Sequence, residues 1–299
     1  MELRFLAVAI TWALWQTGAS ALAASDPKYL ITFGDSFTRT RFNVTRGRPT
    51  PANPMGNPAF PGVSTSGGMN WVSSLAAELN TSLTLSYNFA QGGATVDARI
   101  VPPHSGRVNC LADQVGQFLK SIATRPEIAP WTRSNALVGV WIGLNDVSIN
   151  CERTNSTAIY PKSIARCFEL LQLLYYVGIR KFVLLTAPPV EFTPMRLAKD
   201  PEINAIFYSH LKLYRKLFAA AFRSFQATNP DMIAAMVDTY ESFSQTIEDP
   251  AKYGATNATC WDEDGLSCLW WNHYHPGIAI HRLVAEEVGK VVNSPKYAW

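Results

Sequence analysis

The chain has 299 residues, 47% of them hydrophobic and 16% charged, with a formal net charge of +3. That length holds one large α/β domain or two small ones, and the composition suits a compact protein with a sizeable core. The small charge, with no basic block and no aromatic–basic interleaving, argues against nucleic acid as a partner.

Met1-Glu2-Leu3-Arg4 is followed by an apolar run from Phe5 to Trp15, then by small residues leading to Ala21-Leu22-Ala23. This is the n-region, h-region and cleavage-site pattern of a secretory signal peptide. Cleavage is expected after Ala23, with Ala21 as the second choice. The run is short for a transmembrane span, and no other uninterrupted apolar stretch is long enough to cross a bilayer. The expected mature chain, residues 24–299, is secreted and soluble. Asn43, Asn80, Asn155 and Asn257 each open an Asn-x-Ser/Thr glycosylation pattern, which agrees with export. So do five cysteines, most of which should pair in an oxidising compartment. Close spacing favours Cys260–Cys268 and Cys151–Cys167, leaving Cys110 free, although spacing does not fix connectivity. With no CxxC pair, a metal reading of these cysteines is the weaker one.

The first strand is the apolar run Tyr29 to Phe33, which stops at Gly34-Asp35-Ser36. A Pro-, Gly-, Asn- and Arg-rich stretch follows from Thr38 to Gly68, too long for an ordinary connection. Helical spacing resumes over Asn70–Leu79, and Leu83–Phe89 reads as a second strand running into Gln91-Gly92-Gly93-Ala94. Asp113–Ile122 is a short helix. Ala136–Ile142 is a third strand, ending in the loop Gly143-Leu144-Asn145-Asp146. An amphipathic helix over Ile159–Val177 stops at Gly178. Lys181–Thr186 is a fourth strand, and Pro201–Ala227 is the longest helix, opened by its proline and closed by Asn229-Pro230. Met232–Val237 is a fifth strand, Tyr240–Ile247 a short helix, and Pro276–Val292 the last helix. Strand–helix alternation of this kind predicts an α/β fold, a single domain whose five-stranded, mostly parallel sheet is covered by helices on both faces.

Three strand ends carry small polar loops, and in a parallel sheet such ends lie along one edge. Ligands collect there. Serine ester hydrolysis needs a nucleophile, a base and donors for the developing oxyanion. Ser36 can supply the hydroxyl and its own N–H, Gly93 a second N–H, and Asn145 a side-chain amide. Each alone is an ordinary turn; three at three strand ends are harder to dismiss. Among the histidines, His210 and His281 sit within predicted helices and His104 in a Pro-rich loop. His275 is held by Pro276 at a helix start, which suits a base that must keep one orientation. Asp35 beside Ser36, together with Trp71 and Trp271, are the candidate substrate-facing residues.

At these residues the chain resembles the GDSL, or SGNH, family of serine esterases. The blocks are Phe33-Gly34-Asp35-Ser36, Asn88-Phe89-Ala90-Gln91-Gly92-Gly93-Ala94, Gly143-Leu144-Asn145-Asp146 and His275-Pro276. The resemblance implies a flavodoxin-like α/β/α sandwich, with Ser36 as nucleophile and His275 as general base. It implies an oxyanion hole made by the Ser36 N–H, Gly93 and Asn145. It implies no cofactor and no metal. One position departs from the pattern. The family usually has Asp three residues before the histidine, and here Asn272 stands. Three arrangements are open: Asn272 orients His275 through its carbonyl, the reading we favour; a backbone carbonyl does so; or Asp262 or Asp264 reaches in. The finer resemblance is to fungal-type secreted carbohydrate acetylesterases, through Gly68-Met69-Asn70-Trp71, Ala187-Pro188-Pro189 and Trp271-Asn272-His273-Tyr274-His275-Pro276. It implies removal of acetyl groups from acetylated sugars such as hemicellulose oligomers. The alternatives are a lipase or lysophospholipase, and a carbohydrate-binding relative whose catalysis Asn272 has impaired.

Overall fold

The computed structural model describes residues 26–151, 156–297 and 299. The expected signal segment and the glycosylation acceptor Asn155 lie outside the described residues. The five apolar runs form one sheet: β1 (Lys28–Gly34), β2 (Thr84–Asn88), β3 (Ala136–Trp141), β4 (Lys181–Leu185) and β5 (Ile233–Val237). Their order is β2-β1-β3-β4-β5 and every neighbouring pair is parallel. Strands buried on both faces read as continuous apolar runs rather than alternations. Accordingly every residue of β3 is buried, while the edge strand β5 is half-buried.

The helices are α1 (Trp71–Ala77), α2 (Leu111–Ser121), α3 (Leu144–Asn150), α4 (Tyr160–Tyr176), α5 (Pro194–Leu197), α6 (Pro201–Thr228), α7 (Tyr240–Glu248) and α8 (Ile278–Val292). On one face α8 packs against α1 and α7; on the other α4 packs between α2 and α6, with α3 against α6. The sandwich is thus three-layered. The long α6 is seated by Phe207, Leu211, Tyr214, Phe218, Phe222 and Phe225, a buried stripe at three- and four-residue spacing. Each such aromatic contributes about 1.5–3 kcal/mol on burial. No helix among the described residues is long and apolar enough to cross a membrane.

Two local expectations change. Gly143–Asp146 is the start of α3 rather than a free loop; with seven residues that helix is too short for its period to show. The Cys260–Cys268 bridge forms, with Cα atoms 5.3 Å apart. The expected Cys151–Cys167 bridge does not. Cys167 is a buried free thiol on α4, and the Cys151 thiol, at the end of α3, donates to the Ser148 carbonyl at 3.6 Å. Both positions face the core from different helices, and closeness in sequence does not bring their side chains into bonding geometry. Cys110 is likewise a buried thiol, against the Thr95 hydroxyl at 3.2 Å.

Candidate active site

Chain order places β1 between β2 and β3, so the connections leaving β1 and β2 run in opposite directions across the sheet. A crevice opens at the carboxyl ends of strands at such a switch point. The loops after β1, β2 and β3 all meet there. At the end of β1 Gly34 has φ +152°, and a Cβ would collide with the Trp141 carbonyl on β3, so the turn requires glycine. Asp35 follows, buried. Its Oδ1 accepts the Phe37 N–H at 3.0 Å, and its carbonyl accepts the N–H groups of Thr38 and Arg39 at 3.2 and 3.0 Å. Asp35 therefore holds the turn and does not face the open crevice, contrary to the expectation that it contacts substrate. Ser36, presented by this turn, is 8% exposed.

The turn is clamped from α2. The Gly34 N–H donates to Gln114 Oε1 at 2.9 Å, and Gln114 Nε2 donates to the Gly34 carbonyl at 2.8 Å and the Asn109 carbonyl at 2.9 Å. Sequence reasoning missed this residue. Its signal is a glutamine fully buried on the apolar stripe of Leu111, Val115 and Phe118. A second brace is Asn70, the N-cap of α1, whose amide donates to the carbonyls of Thr38 and Arg39 at 3.1 and 3.0 Å.

The loop after β2 is tied to the same turn by the Gln91 N–H, which donates to the Gly34 carbonyl at 3.1 Å. Gly93 has φ +79°, and the nearest atom to a Cβ built there would be Val108 Cγ2 at 3.7 Å. Backbone of that conformation and openness lets a ligand approach the N–H closely. The Ser36 and Gly93 N–H groups have no acceptor among the described residues. From the third strand end, Asn145 at the start of α3 donates one amide hydrogen to the Ala94 carbonyl at 2.9 Å, which leaves the other to point elsewhere. Asp146 fixes this junction: its buried carboxyl accepts the Val96 N–H at 3.2 Å and the Ser163 hydroxyl at 2.5 Å.

His275 comes from the far end of the chain. Its Nε2 lies 2.9 Å from Ser36 Oγ, and its Nδ1 lies 3.2 Å from Asn272 Oδ1. The same Oδ1 accepts the backbone N–H groups of Tyr274 and His275 at 2.9 and 2.8 Å, which fixes which end of the amide faces the ring. An acceptor at Nδ1 puts the ring hydrogen there and leaves the Nε2 lone pair for the serine hydroxyl. The carboxylates of Asp262 and Asp264 do not reach the imidazole. They accept backbone N–H groups within their own turn, from Asp264 at 2.9 Å and from Leu266 and Ser267 at 2.7 and 2.9 Å. Burial, with the Arg39 charge and the His273 ring nearby, lowers the His275 pKa to about 4.

The tryptophans divide. Trp71 is fully buried, with its indole N–H on Thr38 Oγ1 at 3.2 Å and its ring against Trp141, so it supports the site from beneath and touches no crevice. An amphipathic helix start does not reveal which face a large apolar residue takes. Trp271 is half-buried, its ring centroid 6.1 Å from that of His275, and it lines a surface cavity of about 280 Å³ with Pro61–Ser64, Gly67 and Gly68. That joins the long irregular loop to the site. A second cavity, of about 420 Å³, opens beside Asn145, Asn272 and His275, with Ser148 and Arg196 in its wall. His281 is buried against Phe37 and Trp141, His210 pairs with the Tyr160 hydroxyl at 2.7 Å, and the exposed His104 stands at the rim of the second cavity.

Comparison with known proteins fits this geometry. The family model for GDSL-like lipases/acylhydrolases matches residues 30–288. An acetylesterase of Thermothelomyces thermophilus is 47% identical over 92% of this chain and 94% of its own. An acetylesterase of Hypocrea jecorina is 24% identical over 90% of this chain and 89% of its own. The crystal structure of Axe2, an acetylxylan esterase from Geobacillus stearothermophilus, superposes with a TM-score of 0.52 at 15% identity, covering 90% of this chain and 95% of that one, and shares its fold. The chain belongs to the GDSL-like lipase/acylhydrolase family and is a carboxylic ester hydrolase.

Proposed function

We propose that the chain is an exported acetylesterase that removes short acyl groups from carbohydrate, with Ser36 as nucleophile and His275 as general base. The observation that carries the reading is the Ser36 Oγ to His275 Nε2 contact of 2.9 Å, with Asn272 behind the ring. His275 takes the Ser36 proton as Oγ attacks the ester carbonyl. The oxyanion is received by the N–H groups of Ser36 and Gly93 and by the Asn145 amide; each such donor is worth about 10²–10³ in rate. His275 then gives its proton to the leaving sugar oxygen. Water, activated by the same ring, attacks the acyl-serine and releases acetate and the serine hydroxyl. The acetyl preference is supported by the relative that is 47% identical, itself named an acetylesterase. Export is supported by the signal-like N-terminus, the Cys260–Cys268 bridge and the exposed positions of Asn43 and Asn257, with Asn80 half-buried.

The test is hydrolysis of nitrophenyl esters from acetyl to long-chain acyl, alongside Ser36→Ala. Acetyl turnover that falls with chain length and drops by about 10⁴–10⁶ in the variant is the expected result. A long-chain preference would replace acetylesterase by lipase. Activity that survives in Ser36→Ala would remove the proposed nucleophile.

A further inference from the structure

The cavity beside His275 is cationic in a way that ester cleavage does not require. Its wall carries the charges of Arg196 and Lys199 beside the imidazoles of His104 and His273 and, among the described residues, no Asp or Glu. Arg196 is the telling member. It is 6% exposed, and its Nε and Nη2, both shut off from solvent, have no hydrogen-bond partner among the described residues. Its guanidinium lies 3.6 Å above the Phe207 ring, which supports one face. A buried guanidinium is costly unless an acceptor meets it. The partner that its charge favours in the cavity is an anion, a carboxylate above all.

The position of Arg196 ties it to the leaving group. The short helix α5 is fastened to the histidine loop, the Met195 N–H donating to the His273 carbonyl at 2.7 Å. The cavity has Asn272 and His275 on one side and Asn145 on the other. In the mechanism above His275 protonates the departing oxygen, so the alcohol half lies on the imidazole side, over this cavity. We propose that Arg196 is a specificity-determining residue that binds a carboxylate carried by the alcohol half of the ester, so that acetylated sugars bearing a uronic acid are preferred over neutral ones. The assignment to the alcohol half rests on the proposed mechanism; the carboxylate site itself does not.

Ligand-observed NMR titrations with glucuronate, glucose and acetate, at one ionic strength, test the site without turnover. Glucuronate is expected to bind about tenfold or more tightly than either glucose or acetate, since a charge-assisted pair is at stake. Arg196→Gln is expected to weaken glucuronate about ten- to hundredfold and to erase that preference, with Arg196→Lys in between. Equal binding of glucuronate and glucose overturns the proposal. So does acetate binding as well as glucuronate, which would make this a product-anion site, and so does an Arg196→Gln protein that keeps the preference. If that variant does not fold, the wild-type ratio and its loss at high salt decide. Nitrophenyl acetate turnover, measured separately, keeps the two readings apart. Turnover without glucuronate preference removes the carboxylate site alone. Preference without turnover removes the esterase mechanism and retains the site.

Discussion

Asn272 is where this site departs most from a serine–histidine–carboxylate arrangement. An amide oxygen can hold the ring hydrogen on Nδ1, as the 3.2 Å contact does, but it brings no charge to stabilise the imidazolium. His275 also loses hydration and feels Arg39 and His273, so its pKa lies at about 4. The sign of the resulting pH dependence follows directly. A base is competent when unprotonated, so kcat/KM should stay level from pH 8 to about 5 and fall through about 4. Asn272→Asp places a negative charge against Nδ1 and favours the protonated ring, which should raise that acid limb by about one unit or more. A pH–rate profile on nitrophenyl acetate checks both, and a limb that stays put in the variant would mean that residue 272 does not govern the ring's charge. The departure itself was visible in the sequence, but its resolution was not. Three arrangements of the same residues were chemically sound, and only the Asx turn, which aims Oδ1 at two backbone N–H groups and the ring together, separates them.

At the scale of elements, α2 acts on Ser36 through the turn that precedes it. Gln114 both accepts from and donates to the Gly34 peptide, the last peptide before Asp35 and Ser36. The Gly34 carbonyl has a second donor in the Gln91 N–H, so Gln114→Ala orphans the buried Gly34 N–H and takes a donor from the Asn109 carbonyl. Leaving one buried donor unsatisfied costs about 1–3 kcal/mol, which a urea midpoint would report. Because the released turn carries Ser36, kcat on nitrophenyl acetate should also fall, by about ten- to hundredfold for a displacement near 1 Å. A stability loss with kcat intact would show that Asp35, Asn70 and Gln91 hold the turn without Gln114. The same contrast explains what the sequence made legible. Buried parallel strands announce themselves as apolar runs, so β1 to β5 were readable to within a residue or two, and so was the convergence of their polar ends. The seven-residue α3 and four-residue α5 were not, because a helix of one or two turns has too few positions to show a period. Arg196 sits on α5 and was missed with it. Trp71 was misjudged for a related reason: the spacing shows a helix, but the burial of its first turn depends on where the sheet lies. Of the two expected cysteine pairs Cys260–Cys268 forms and Cys151–Cys167 does not, because a connectivity is a statement about distance in space.

At the scale of the whole molecule, the carboxyl ends of the strands gather buried groups whose protons pull stability in opposite directions. Asp35 and Asp146 are both pushed up to about 7, by burial first, with the Asp146 charge adding to the effect on Asp35. The folded chain therefore holds those protons more tightly than the unfolded chain, whose carboxyls titrate near 4. Their contribution is fully present below about 4 and is lost as pH rises through about 7. His281 behaves in the reverse sense: burial lowers its pKa to about 3, so the folded chain prefers the neutral ring and stability rises with pH up to the unfolded value of about 6.5. His275 acts in the same direction. Asp97, held far down by Arg99 and Arg166, is ionised throughout this range and adds no slope to it. Between about pH 4 and 6.5 the carboxyl and imidazole terms offset, so urea midpoints should change little there; between about 6.5 and 8 the imidazole term is exhausted and the midpoint should fall. Asp146→Asn isolates one side of this balance, since its amide never ionises and one carboxyl-driven loss is removed. Relative to the unmodified protein the variant should therefore gain ground steadily as pH rises from 4 to 8, whatever its absolute stability. Parallel midpoint-versus-pH curves for the two proteins would mean that Asp146 is already ionised in the fold, with the Val96 N–H and Ser163 hydroxyl sustaining its charge against burial.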